Sequence, residues 1–122
     1  MAAIEKFEDI KAWQEARRLL NRIYEITDGE RFSKDWELKN QIRRSGLSVM
    51  SNIAKGFDRS SDREFIQFLR IATGSCSELK SQLYVALDQK YITDKLFSEI
   101  CQKATDVTKL INGFIRYLRK AT

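Results

Sequence analysis

The chain has 122 residues, of which 43% are apolar and 32% charged, and it carries a net charge of +5. That is enough for one domain with a packed core, short for two, and unlike a disordered segment. No apolar run approaches the ~20 residues that span a bilayer, and the absence of histidine removes the commonest general base and zinc ligand.

The N-terminus, MAAIEKFEDIKAW, carries acids and lacks the apolar stretch of a secretory signal, so the sequence reads as cytoplasmic. Residues 1–57 hold 11 basic and 9 acidic side chains and residues 58–122 hold 11 and 8, so the positive excess forms no tail. Cys76 and Cys101, with no C-x-x-C spacing, read as packed thiols and not as a disulfide.

Proline is absent, which suits an all-helical chain with short connections. The 3.6-residue period predicts a first helix over about 9–27, with Ile10, Trp13, Ala16, Leu20, Ile23 and Thr27 on its buried face. DGERFS (28–33) predicts a turn in which Gly29 takes a positive φ and Ser33 caps the next helix. The second helix is expected over about 34–57. The third, over about 62–90, begins at a Ser61–Glu64 capping box and aligns Phe65, Phe68, Ala72, Cys76, Leu79, Leu83 and Ala86. The fourth, over about 94–119, starts beside Thr93 and aligns Leu96, Ile100, Ala104, Val107, Ile111, Phe114 and Leu118. Four long amphipathic helices with short links imply one domain, an all-α antiparallel up-down-up-down four-helix bundle.

The stretch IRRSGLSVMSNIAKGF (42–57) raises a choice between a phosphate loop and a crowded helix. A Walker loop needs G-x-x-x-x-G-K-[ST] between a strand and a helix, and neither spacing nor context is present. Read as a helix, it places Gly46 and Gly56 inside the element, each costing about 1 kcal/mol relative to Ala. Close backbone approach explains them. A hairpin folded near Ser60 sets Gly46 opposite Gly74, Arg43 beside Glu78, and Asn52 near Phe68 as a register-fixing core amide. Leu47, Met50 and Ala54 widen the apolar surface beyond one stripe, which predicts a second buried face and hence a subunit interface. Phe32, Trp36 and Tyr91, near the bundle ends, are candidates for the same face.

FEDIKAWQEAR (7–17), QIRRSGLSVMSNIAKGFDRSSDREFIQFLRIATGSCSEL (41–79) and QLYVALDQKYI (82–92) resemble the bacterial four-helix-bundle proteins encoded in 23S rRNA intervening sequences. N-I-A-x-G-F at 52–57 followed by E-F-x-x-F-L-R-I-A at 64–72 is the most specific part. The resemblance implies a left-handed bundle assembled as a homopentameric ring, with no enzymatic activity. It also implies likeness in fold to the accessory protein of diversity-generating retroelements, a basic pentamer that binds nucleic acid and a reverse transcriptase. Met50 stands where the family commonly has Pro, and Lys55 where it has Glu. The helix is therefore expected to be straighter here and its surface more basic.

Ser77-Glu78-Leu79-Lys80 matches S-x-x-K, but the companion S-D-N and K-T-G elements are missing. No enzyme, metal or cofactor is expected. Nucleic-acid binding is the stronger class. Its candidates are Arg17, Arg18 and Arg22 on the first helix, Arg43 and Arg44 on the second, Arg59, Arg63 and Arg70 around the central hairpin, and Arg116, Arg119 and Lys120 at the C-terminus. Arginine suits phosphate through its planar fork of donors. Gly46, Met50, Asn52, Gly56, Gly74 and Glu78 are the packing or interface candidates. The expected partners are a second copy of the chain and RNA or DNA, with a protein-scaffold role as the alternative and no membrane.

Overall fold

A computed structural model describes residues 4–121. Four helices, α1 (Lys11–Thr27), α2 (Trp36–Phe57), α3 (Asp62–Asp88) and α4 (Asp94–Ala121), are joined by links of a few residues, with short 3-10 turns at Phe7–Asp9 and Phe32–Lys34. Each helix buries one stripe: Ala16, Leu19 and Ile23 on α1, Ile42, Val49 and Ile53 on α2, Leu69, Ala72 and Leu79 on α3, Ile100, Ala104 and Ile111 on α4. On α1 the stripe runs through Ala12 and Leu19, one residue before the expected Trp13 and Leu20, and those two side chains are only half-buried.

Cross-helix pairs show the order. Ser45 meets Glu78 and Ser48 meets Ser75 between α2 and α3. Lys80 meets Thr105 and Phe65 meets Phe114 between α3 and α4. Arg43 reaches Thr27 from α2, and Arg22 reaches Glu99 from α1. Gly46 also lies beside Leu20 of α1, and Leu19 shares a pocket with Val107 of α4, so in every pair of neighbours one number rises as the other falls and adjacent helices are antiparallel. The most extensive contact is between α2 and α3.

The helix ends follow local chemistry. Ser61 accepts from the Glu64 N–H at 3.2 Å, and Thr93 accepts from Leu96 N–H at 3.1 Å. Among the described residues no bond from the Glu64 carboxylate completes the expected capping box. At the start of α2 the expected cap is also replaced. Asp35 accepts from Leu38 N–H at 3.1 Å, while Ser33 donates its hydroxyl to Glu30 O. The reason is the 3-10 turn over 32–34, which carries Phe32 into the core and delays the helix by two residues. Gly29 does not adopt a positive φ; the residue that does is Lys90, at φ 62. There Tyr91 N–H bonds Ala86 O and Lys90 N–H bonds Leu87 O, each at 2.9 Å. This is a Schellman ending with a lysine in the position glycine usually takes.

Two expectations about the α2–α3 register are corrected. Gly46 does not face Gly74: a Cβ on Gly46 would meet Leu20 Cδ1 of α1 at 3.0 Å, and one on Gly74 would meet nothing within 4 Å. Arg43 does not pair with Glu78. It donates to Thr27 Oγ1 and Asp28, while Glu78 accepts from Ser45 Oγ at 2.7 Å. Level along a hairpin does not fix azimuth; Ser45 and Gly46 point about 100° apart, one to α3 and the other to α1. The close approach lies instead at Gly56, where a Cβ would stand 2.7 Å from Phe65 Cδ1 and 2.8 Å from Phe68 Cβ.

Candidate nucleic-acid interface

A polar seam runs between α2 and α3. Ser48 and Ser75 share a hydrogen bond of 2.8 Å, and Asn52 Nδ2 donates to Ser48 O and Oγ. The Asn52 amide thus bonds back along its own helix, and it ties the seam together only through Ser48. A shallow groove of about 350 Å³ opens above it, lined by Gln41, Arg44, Ser45, Ser48, Glu78 and Gln82. Buried beside it, Gln82 Oε1 has no hydrogen-bond partner among the described residues.

The S-x-x-K tetrad is not assembled as a catalytic pair. Lys80 donates to Thr105 Oγ1 across the α3–α4 seam, and Ser77 is exposed. Among the described residues no three metal-ligating side chains converge. Both cysteines are free thiols, and burial pushes each above its ordinary pKa, Cys76 opposed by a hydrogen bond with Thr108.

The eleven basic candidates separate by partner. Arg18 is held by Glu15 at 2.5 Å. Arg22 bridges Glu25 at 2.9 Å and Glu99 at 2.7 Å. The hydrogen bond to Glu99 raises the Arg22 pKa, and the same bond holds Glu99 below the ordinary carboxylate range. Arg43 pairs with Asp28 at 2.9 Å and lies 4.1 Å from the centre of the Tyr24 ring. These three are tied to the bundle itself. Arg17 sits over Trp13 at 5.8 Å, and Arg44 lines the α2–α3 groove.

The remaining cations gather at one end. Because α4 is antiparallel to α3, its last turn returns to the α2–α3 link, and Arg59, Ser61, Asp62, Phe114, Tyr117 and Ala121 line a common groove of about 260 Å³, with Arg59 and Asp62 its charged residues. Arg59, Arg63, Arg70 and Arg116 form no ion pair among the described residues; the ion pairs of Lys11, Arg18, Arg22 and Arg43 lie on α1 and its contacts with α2 and α4. Arg59 stands 4.5 Å from the Phe68 ring centre, with Lys55 on the same ring at 5.9 Å. Arg119 and Lys120 are exposed in the last turn of α4.

Exposed apolar side chains mark a different surface. Ile71 is 52% and Val85 46% exposed on α3, with the bare Gly74 between them in sequence, and Leu47 is 49% exposed on α2. Met50 is half-buried against the core. Phe32, expected among the surface aromatics, is 0% exposed, whereas Trp36 is 70% exposed. Sequence reasoning missed Trp13 as a surface residue. The readable signal was Arg17 four residues later, which places a guanidinium one helical turn from the ring.

A family model described as 23S rRNA-intervening sequence protein matches residues 8–113. The fold is also similar to the crystal structure of a protein with unknown function from the S23 ribosomal protein family of Bacteroides thetaiotaomicron. That protein is 27% identical, with a TM-score of 0.77 over 85% of this chain and 97% of that one. No curated protein matches.

Proposed function

The chain belongs to the 23S rRNA-intervening sequence protein family, and from that premise we propose that it is a non-enzymatic, self-associating bundle that binds RNA or DNA at its arginine-rich end. The observation that carries the binding is the set Arg59, Arg63, Arg70 and Arg116, four guanidinium groups at the hairpin end with no acid paired to them among the described residues. A guanidinium already paired to a carboxylate must break that pair to meet a phosphate; these four need not. Arg59 is further fixed by its contact with Phe68, which lowers the entropy lost when it docks.

Fluorescence anisotropy of a structured RNA and a matched duplex DNA at about 50 and 200 mM salt tests this. Three phosphate contacts correspond to a roughly 40-fold loss of duplex affinity between the two salts. Arg59→Ala, Arg63→Ala and Arg70→Ala combined should make the salt slope shallower by about three. Absence of binding at the lower salt, or an unchanged slope in the triple variant, overturns the assignment.

Self-association rests on Ile71, Gly74 and Val85, an exposed strip of α3 in which a glycine leaves room for another backbone. The copies close into a ring, and five is the number that the family resemblance implies. Sedimentation should give a mass several times the 14.3 kDa of one chain. Ile71→Glu with Val85→Glu should return it to that of a monomer with helix content unchanged. A monomeric native protein would refute this surface. A protein-scaffold role is the second reading, favoured by the same apolar strip and distinguished by binding that salt does not weaken. No described helix is long and apolar enough to cross a membrane.

A further inference from the structure

Trp13 lies outside the buried stripe of α1. Its ring meets Phe7 edge-on, 5.1 Å between centres, and this contact holds the indole against the start of the helix. Beside it a groove of about 310 Å³ is lined by Trp13, Gln14, Arg17, Arg18 and Asn21. The lining contains one fixed aromatic ring, two guanidinium groups, two carboxamides and no carboxylate. Arg18 is paired to Glu15; Arg17 has no acid partner among the described residues, and its guanidinium lies 5.8 Å from the indole centre.

These groups match a particular ligand chemistry. A nucleobase has a flat π-face for the indole and amide-like edges for Asn21 and for the side-chain oxygen of Gln14, whose Nε2 already donates to Glu8 O at 2.9 Å, and its phosphate supplies the counter-charge to Arg17. Base stacking on an aromatic side chain tolerates any base, but the base must be unpaired and splayed from its strand. A duplex offers only its backbone to such a groove. We propose that the outer face of α1 seats an unpaired nucleotide of a single-stranded nucleic acid, its base on Trp13 and its phosphate on Arg17. This rests on the nucleic-acid reading above and names the strand form that it requires. The antiparallel order puts this N-terminal part of α1 at the same end of the bundle as the C-terminus of α2 and the hairpin arginines. One strand can therefore engage both.

The chain has two tryptophans, and Trp36, at the far end of α2 between Asp35 and Glu37, is replaced to leave a single reporter. In the full-length Trp36→Phe protein, a short oligouridine should quench Trp13 emission, and a duplex DNA of equal length should not. Arg17→Gln, an exposed change, should weaken oligouridine binding several-fold, and Trp13→Ala about tenfold. Because Trp13 also packs on Phe7, the quenching readout stands even where Trp13→Ala fails to fold. Oligouridine binding detected by anisotropy without quenching overturns the α1 groove and leaves the arginine end as the binding surface. Failure of both probes to bind at about 50 mM salt overturns the nucleic-acid reading itself, and with it this proposal, in favour of a protein partner.

Discussion

Gly56→Leu is expected to destabilise the bundle by roughly 3 kcal/mol, the upper part of the range for overpacked sites. Even Gly56→Ala should lose stability, although alanine gains about 1 kcal/mol over glycine inside a helix. A Cβ at position 56 would stand 2.7 Å from Phe65 Cδ1, 3.2 Å from Phe65 Cε1 and 2.8 Å from Phe68 Cβ. The first two belong to a ring that can turn. Phe68 Cβ cannot, because it moves only with its own backbone, so α2 and α3 must separate along their most extensive contact. Gly74→Ala should behave oppositely and gain about 1 kcal/mol, since its Cβ meets nothing within 4 Å in the isolated chain. For a domain of this size each kcal/mol corresponds to roughly 3–5 °C in Tm. Thermal unfolding followed by circular dichroism should therefore move the two alanine variants in opposite directions. A Gly56→Ala protein as stable as the parent would show that the two helices are not in contact there. A destabilised Gly74→Ala would place another copy of the chain against α3, which connects this measurement to self-association.

These glycines also show which part of the fold the sequence makes legible. The apolar period is local, and it located four helices to within two residues at every end. Which neighbour each residue faces is a long-range property. Ser45 and Gly46 are adjacent in sequence yet serve different helices, and no pattern in 42–57 separates them. Charge partners pose the same difficulty. Arg22 owes its main contact to Glu99, 77 residues away, so the sequence shows a basic helix where the fold shows an ion pair. Arg59 and Arg63 were readable because they flank a turn, where few side chains are near enough to neutralise them, and Arg70 follows two helical turns along α3. The α1 groove was hidden by a shift of one residue in the buried stripe. With Ala12 inward, Trp13 turns to the rim; with Trp13 inward, no groove exists.

Phe32→Ala is expected to cost about 3–5 kcal/mol, a large share of the stability of a domain this size. Phe32 and Trp36 are aromatic residues four positions apart in a polar stretch, and composition offers no reason to rank them. The structure ranks them decisively: Phe32 is 0% exposed and Trp36 is 70% exposed. The Phe32 ring lies 5.1 Å from that of Tyr91, at the end of α3. Tyr91 in turn donates its hydroxyl to Asp35 Oδ2 at 3.0 Å, a bond that raises the phenol above its usual pKa. The other oxygen of Asp35 caps α2. Phe32 thus supports a short chain of contacts joining the α1–α2 link, the start of α2 and the close of α3. Removing the ring leaves a cavity and loosens the cap together, so the loss should reach roughly 10–25 °C in Tm. Trp36→Ala should stay within about 0.5 kcal/mol of the parent, as exposed substitutions do. If a second copy covers Trp36, its removal should instead weaken assembly while leaving the unfolding of the monomeric Ile71→Glu, Val85→Glu protein unchanged. Comparing Phe32→Ala and Trp36→Ala in parent and monomeric backgrounds separates a residue of the core from a residue of an interface.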